Sequence, residues 1–391
     1  MQHYPALPPF PCLRPGTELV PVDRENVLLR SFSGTVLLSG EFVSSELPAL
    51  LPRLDGSRSV HELFEMVGED FRPELEKFLQ LMTEKNILYP GDSARADSRP
   101  QEPSVLTAHE RAYWSLDAAT ATDAVRHLQS STVVLANLGG VGVSIARALA
   151  TSGVGKLVLL DADSVRPSDE LFGYGAEHVG KPRVETIAAD ISNLECKDIT
   201  TIVSTVDGAS NWDQIVSGAT VVILCSDNMS LAGYDRTNEA CIRHGTRWVS
   251  ARIDRGRGII GPFIVPEQTA CFACFELRNR ANSDHPKDHE MMYRHWKQMD
   301  VCPESWPAVA PFSSIIGNYV ALDLLQVLAG NHVSAFFGRV LHLDLRTLES
   351  RFHSILKLPR CPACSRGRTR PLTRIWDIRP ASDAKRPADQ G

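Results

Sequence analysis

Four cysteines fall in two Cys-x-x-Cys pairs, Cys271/Cys274 in TACFACFELR and Cys361/Cys364 in PRCPACS. A tight turn at that spacing presents two thiolates to one cation. Two such pairs complete the all-sulfur tetrahedral shell of a structural zinc. With 86 residues between Cys274 and Cys361, the pairs read as a clip joining distant parts of one domain. Two alternatives stay open: four unrelated buried thiols, or redox-active pairs, for which no thioredoxin-like surroundings are present. Cys12, Cys196, Cys225 and Cys241 are scattered, mostly in apolar runs, and read as free thiols of a reducing compartment. Cys302 reads with these free thiols, and Pro303, Pro307 and Pro311 mark an irregular loop that would expose it. His285, His289 and His295 lie in the polar segment Asn282–Asp300 and read as surface residues of a crossover.

A second chemical pattern starts at Thr132–Ala136, an apolar strand that runs into Asn137-Leu-Gly-Gly-Val-Gly142 and then a helix. This is a GxGxxG-like phosphate loop with Asn137 in place of the first glycine. Gly139 and Gly140 let backbone amides approach a phosphate, and Gly142 lets the helix pack closely on the strand. The next strand ends in Asp161-Ala-Asp163, where an acid can hold ribose hydroxyls. A decayed site that keeps only the fold is the competing explanation.

These residues need elements to place them. The chain has 391 residues, 43% hydrophobic and 23% charged, with a net charge of −6. It is long enough for two domains, and its charge argues against nucleic acid. No uninterrupted apolar run reaches 18 residues, so no membrane span is expected, and the proline-rich N-terminus lacks signal-peptide features. A cytoplasmic protein is expected. The polar stretch from Gly91 to about Glu110 reads as a linker, assigned to 93–109, between an N-terminal unit (1–92) and a larger one (110–366). Residues 367–391 read as a disordered basic tail.

In the N-terminal unit, strands are predicted at Glu18–Pro21, Asn26–Ser31 and Gly34–Gly40, with a closing strand at Asn86–Tyr89. Helices are predicted at about Ser44–Leu51, after the capping box Ser59–Glu62, and from Pro73, where Leu75, Phe78, Leu79 and Met82 recur at helical spacing. This is a winged-helix-like module. The larger unit alternates strands (Thr132–Ala136, Lys156–Leu160, Ile199–Ser204, Thr220–Cys225, Arg247–Arg252) with helices (Val141–Ser152, Lys181–Ile191, Ser230–His244). A strand at Ile259–Val265, a helix at Phe312–Leu328 and a strand at Arg339–Leu345 follow. The fold class is α/β, a doubly wound, Rossmann-like parallel sheet with a four-cysteine zinc clip.

In combination, the glycine loop, SGVGKLVLLDADSV, VGKPRVETIA, LCSDNMSLAGYDRTNEAC and the paired Cys-x-x-Cys motifs resemble the ThiF/MoeB family from about Glu110 to Ser365. The resemblance implies the ubiquitin-activating-type fold that adenylates carboxylates with ATP and Mg²⁺, and a homodimer. It places Asp161 as the ribose acid and Asp227 as an acid holding Mg²⁺. Arg111 corresponds to an arginine that reaches into the partner subunit's ATP site. Cys302 lies close to where some relatives carry a thiol for sulfur transfer or thioester formation. There are departures. The family's SNLxRQ reads Ser168-Asp-Glu-Leu-Phe-Gly173, so the amide has become Asp169 or Glu170 and the arginine is absent. The lysine of VGxxK reads Arg183, with Lys181 close by. A carboxylate facing a triphosphate adds repulsion, and the missing arginine removes transition-state charge stabilisation. These departures tell against adenylation and leave ATP binding open.

The N-terminal unit, through RPGTELVPVDRENVLLRSFSGTVLLSG and LPRLDGSRSVHELFEMV, is similar to PqqD-like recognition elements that capture leader peptides of ribosomal peptide natural products. That resemblance implies strand addition at Gly34–Gly40, with Val36, Leu37, Leu38, Leu75, Phe78, Leu79 and Met82 forming a peptide groove. A winged helix used only for dimerisation is the alternative. The joint reading is a leader-binding scaffold of thiazole/oxazole-type biosynthesis that presents a precursor to a YcaO-type cyclodehydratase. The other reading is an ATP-dependent adenylyltransferase acting on a precursor-peptide carboxylate. The zinc clip and the CSDN segment argue against an NAD oxidoreductase.

Overall fold

Asn26–Ser31 alternates in burial, with Val27 and Leu29 inward and Arg30 outward, as a strand with one covered face must. In the computed structural model this is the central strand, β3, of a three-stranded antiparallel sheet, between β2 (Glu18–Pro21) and β4 (Gly34–Ser39). A two-stranded ribbon of β1 (Pro11–Leu13) and β5 (Leu88–Pro90) closes the unit. The structure describes residues 7–23, 25–31, 34–91, 113–114, 121–226, 231–254, 256–298, 309–330 and 332–365. Arg111, Asp227, Cys302, the 93–109 linker and the 367–391 tail lie outside them.

The capping box forms as expected: the Ser59 hydroxyl accepts from Glu62 N–H, and the Glu62 carboxylate accepts from Ser59 N–H at 2.6 Å, starting helix Val60–Met66. Helices Glu41–Ser45 and Leu47–Leu50 stand where one helix was predicted. Helix Arg72–Glu84 corrects the expected groove. Leu75, Leu79 and Met82 are fully buried and Phe78 is 5% exposed, all within the unit's own core. The reason is amphipathicity. The helix has one apolar stripe at i, i+3, i+4, i+7, and the unit's own core already covers it, Phe78 meeting Phe42 at 6.2 Å between ring centres. Of the predicted groove residues, Leu38 is also buried, Val36 is half-buried and Leu37 is 58% exposed. Leu79→Ala should therefore destabilise the protein by about 2–5 kcal/mol. Leu37→Ser should change stability by less than about 0.5 kcal/mol. Denaturant titration of the full chain measures both, and equal effects would contradict this packing.

The larger unit is an eight-stranded mixed sheet. Its strands are β6 (Thr132–Ala136), β7 (Lys156–Leu160), β8 (Asp198–Ile202), β9 (Val221–Ser226), β10 (Arg247–Asp254), β11 (Arg257–Ile264), β12 (Arg339–Asp344) and β13 (Ser350–Ser354). They lie in the order β13-β12-β11-β10-β9-β6-β7-β8. From β8 to β10 the pairing is parallel; from β10 to β13 it is antiparallel, so a parallel sheet was only part of the answer. Strands covered on both faces read as continuous apolar runs, and here they feed two cores. Val133, Leu135, Val221 and Ile223 face one core, with helices Gly140–Thr151, Arg183–Ile191 and Ala310–Leu328. Val134, Ala136, Val222 and Leu224 face the other, with helices Leu231–His244 and Phe272–Ala281.

Helices Ala121–Ser130, Trp212–Ser217, Phe272–Ala281 and Pro286–Gln298 were not anticipated, nor was β13, whose five residues are all exposed. Pro286–Gln298 occupies the polar segment read as a crossover. Helix Ala310–Leu328 is long and apolar enough, by length and composition, to cross a bilayer. One of its faces, including Ile316, Val320 and Leu324, is packed into the first core.

Candidate functional site

The loop after β6 is braced from three sides. Asn137 adopts a left-handed backbone, φ 69°, which asparagine tolerates better than most residues and which explains its use where a glycine was expected. Its side-chain amide donates to the Cys225 carbonyl at 2.6 Å, tying the loop to β9. The Leu138 N–H donates to the Asp161 carboxylate at 2.6 Å, and the Tyr174 hydroxyl donates to the Leu138 carbonyl at 2.7 Å. Gly139 caps helix Gly140–Thr151. A Cβ on Gly142 would run into the Asn137 carbonyl oxygen, so only glycine permits this approach. Gly139 and Gly140 thus stand at the N-terminal end of helix Gly140–Thr151, the end that carries the positive pole of the helix dipole.

The two predicted ribose acids separate. Asp161 is 4% exposed and also accepts from the Asp163 N–H at 2.7 Å; burial raises its pKa, which the nearby Arg183 charge opposes. It braces the loop. Asp163 keeps a side chain that is 42% exposed, paired with Arg166 and Arg183 at 3.2 Å each.

Arg183 resolves the charge problem that the sequence posed. Its guanidinium is bidentate to the buried Asp169, with Nε at 3.0 Å and Nη2 at 2.8 Å from Oδ2. Nη1 lies 3.2 Å from Asp163 and 3.7 Å from Asp161. Asp169 also accepts from the Arg166 N–H at 2.9 Å. Burial alone would lower the Arg183 pKa, but the three carboxylates reverse this and hold it charged. The carboxylate in place of an amide and the arginine in place of a lysine are therefore one compensated pair. Glu170, the other candidate for the amide position, is exposed, as is Lys181.

Phe172 stands where the family arginine was expected. Its ring packs over the start of helix Gly140–Thr151, where a Cβ on Gly140 would strike it. Arg147 holds this segment by donating to the Gly173 carbonyl at 3.0 Å while pairing with Asp190 at 2.7 Å. Sequence reasoning missed Arg147, Phe172 and Tyr174. Arg147 did carry a signal, as the only charge in an otherwise apolar helix.

The four cysteines of the clip converge. The Sγ atoms of Cys271, Cys274, Cys361 and Cys364 all lie within 4.8 Å of one another. The closest pairs are Cys271–Cys361 at 3.5 Å, Cys274–Cys364 at 3.6 Å and Cys271–Cys274 at 3.8 Å. Four thiolates at about 2.3 Å from a central zinc would be about 3.8 Å apart, so the set fits that ion. A hydrogen bond from Cys271 lowers Cys274 to about 4, and Leu358 N–H donates to the same sulfur at 3.4 Å. Burial, followed by the neighbouring Cys274 charge, raises Cys364 to about 11.

A sequence model of the ThiF family matches residues 115–365. The chain belongs to the ThiF family. Its curated relatives include "Protein HesA" of Leptolyngbya boryana, 27% identical over 62% of this chain and 80% of that one. Another is the molybdopterin-synthase adenylyltransferase of Escherichia coli, 25% identical over 62% and 90%. The fold extends beyond the ThiF domain. Structures of E. coli MccB superimpose with a TM-score of 0.66 over 91% of this chain and 97% of that one, at 16% identity.

Proposed function

We propose that the chain is an ATP-dependent adenylating enzyme acting on a carboxylate of a precursor peptide. The observation that carries this reading is the Arg183–Asp169 pair: the crevice is charge-compensated and its loop is braced, which a decayed site has no reason to preserve. The helix N-terminus at Gly139–Gly140 would hold phosphate oxygens. Asp163 would bind ribose, and exposed Lys181 would offset phosphate charge. A peptide carboxylate oxygen would attack the α-phosphorus, forming an acyl–adenylate bond as the bond to pyrophosphate breaks. Mg²⁺, which the family resemblance assigns to Asp227, would supply neutralisation of the phosphate charge when bound.

The peptide part of the reading rests on MccB, a microcin C7 biosynthetic enzyme whose solved structures include complexes with ATP and with N-formylated MccA. It also rests on the edge of β4 in the N-terminal sheet, unpaired among the described residues, where Leu37 is exposed and an extended leader can add a strand. This unit serves as a PqqD-like leader-binding element. A homodimer would cover the apolar face of helix Ala310–Leu328, where Pro311, Ile315, Tyr319 and Leu322 line an open groove of about 460 Å³.

Pyrophosphate exchange is the test. Exchange should depend on a peptide with a free carboxylate, and Asp163→Ala should lower it by about ten-fold or more. Absence of exchange with every peptide tried would overturn adenylation. One observation favours a second reading. Phe172, lying over the loop in place of an arginine, withholds a positive charge from the reacting phosphates. In that reading the chain captures the leader and presents the precursor to a YcaO-type cyclodehydratase. The partner would then form product even with Asp163→Ala.

A further inference from the structure

One group of buried polar atoms is used by none of the roles above. Ser226 ends β9 and pairs in register with Arg252 of β10, so both side chains point to the same face of the sheet. Tyr234, from helix Leu231–His244, packs on that face. Ser226 is 3% exposed, Tyr234 2% and Arg252 6%. Among the described residues, Ser226 Oγ, Tyr234 OH and Arg252 Nε have no well-formed hydrogen bond, although Arg252 and Ser226 both lie near enough to the Tyr234 hydroxyl to act on it.

The three groups converge. The Arg252 guanidinium lies 5.9 Å from the ring centres of both Tyr234 and Phe275. Burial raises the Tyr234 pKa, while the nearby Arg252 and Ser226 act on its hydroxyl in the opposite direction. Among the described residues no carboxylate forms an ion pair with Arg252. Two aromatic faces offset only part of the cost of burying a guanidinium. Across β11 the same row continues through Ile259 to His342, which adds no negative charge; burial, then His353 and Arg252, hold it near 4.

The position is also specific. The cluster lies at the C-terminal ends of parallel β9 and β10, where ligands of such sheets bind. Ser226 follows Cys225, whose carbonyl receives the Asn137 side chain of the phosphate loop. An anion held by Arg252 would therefore sit beside the nucleotide crevice.

We infer that Arg252, Tyr234 and Ser226 form a carboxylate-binding pocket that selects an acidic group at the end of the peptide substrate. The guanidinium takes one or both carboxylate oxygens, and the two hydroxyls donate to those that remain. This inference rests on the adenylation reading for the identity of the ligand, but its test needs no ATP.

Three probes separate the sources of the carboxylate: N-acetyl-Gly-Gly with a free C-terminus, N-acetyl-Gly-Asp-amide, and the neutral N-acetyl-Gly-Gly-amide. Each is titrated into the full chain and followed by NMR. At least one acidic probe should bind about ten-fold tighter than the neutral one. Arg252→Met should erase that preference without lowering the melting temperature, and Arg252→Lys should keep part of it. If Arg252→Met does not fold, Tyr234→Phe and Ser226→Ala should each weaken the acidic probe about three- to ten-fold. Equal binding of all three probes, or a preference that survives in these variants, overturns the pocket. Failure of pyrophosphate exchange alongside intact carboxylate preference would reject the adenylation reading and leave the pocket standing.

Discussion

Cys361→Ser is expected to strip the metal from this protein and release the segment 355–365. Purified wild-type protein should carry about one zinc per chain, and the variant close to none. Structural zinc contributes apparent binding energies of about 10–16 kcal/mol to zinc-finger peptides, so its loss is among the largest single perturbations available. Here the effect should be regional rather than global. The clip joins helix Phe272–Ala281 to residues 358–365, in a small cluster of its own with Ala270, Ile355 and Leu358. The two sheet cores contain none of these four cysteines. The expected signature is early proteolysis around 355–365, a lowered melting temperature and reduced soluble yield, with strong chelators reproducing the same changes. A metal-free wild-type protein of unchanged stability would overturn the zinc assignment.

Arg183→Ala should be the most damaging change in the crevice. It would leave Asp161 and Asp169, 4% and 3% exposed, without their counter-charge. Removing one partner of a buried pair costs about 3–5 kcal/mol. Asp169→Asn should cost less, because Arg183 keeps Asp163 and Asp161. The double variant Asp169→Asn/Arg183→Lys, which restores the amide and lysine of the family pattern, should recover much of the loss. A double-mutant cycle should then show about 1–3 kcal/mol of coupling. ATP affinity supplies an independent readout. Arg183→Ala should weaken ATP by more than about ten-fold, since Asp161 and Asp169 would then lie unbalanced beside the phosphates, while Asp163 keeps Arg166 at 3.2 Å. Additive stability effects with unchanged ATP affinity would show that the pair is not the compensated unit described here.

What local sequence determines in this chain is what depends on neighbours along the backbone. The continuous apolar runs of β6, β7 and β9, the capping box at Ser59, the glycine loop and the two Cys-x-x-Cys turns are all short-range patterns. They place the strands, the phosphate loop and the candidate metal ligands. Where period and polarity carry little information, the local signal fails: the exposed β13, the polar helix Pro286–Gln298 and the short helix Trp212–Ser217 are held by what they pack against. The helical spacing of Leu75, Phe78, Leu79 and Met82 identified an apolar face but not what covers it, and the shared core of the same unit does. Side-chain partnerships across long separations were settled only by tertiary structure. Asp169 and Arg183 read singly as two losses from a nucleotide site, and folding turns them into one ion pair. Ser226, Tyr234 and Arg252 carry no shared motif. Strand register and a packed helix bring their polar atoms together, because in-register side chains of adjacent strands share a face whatever their distance in sequence.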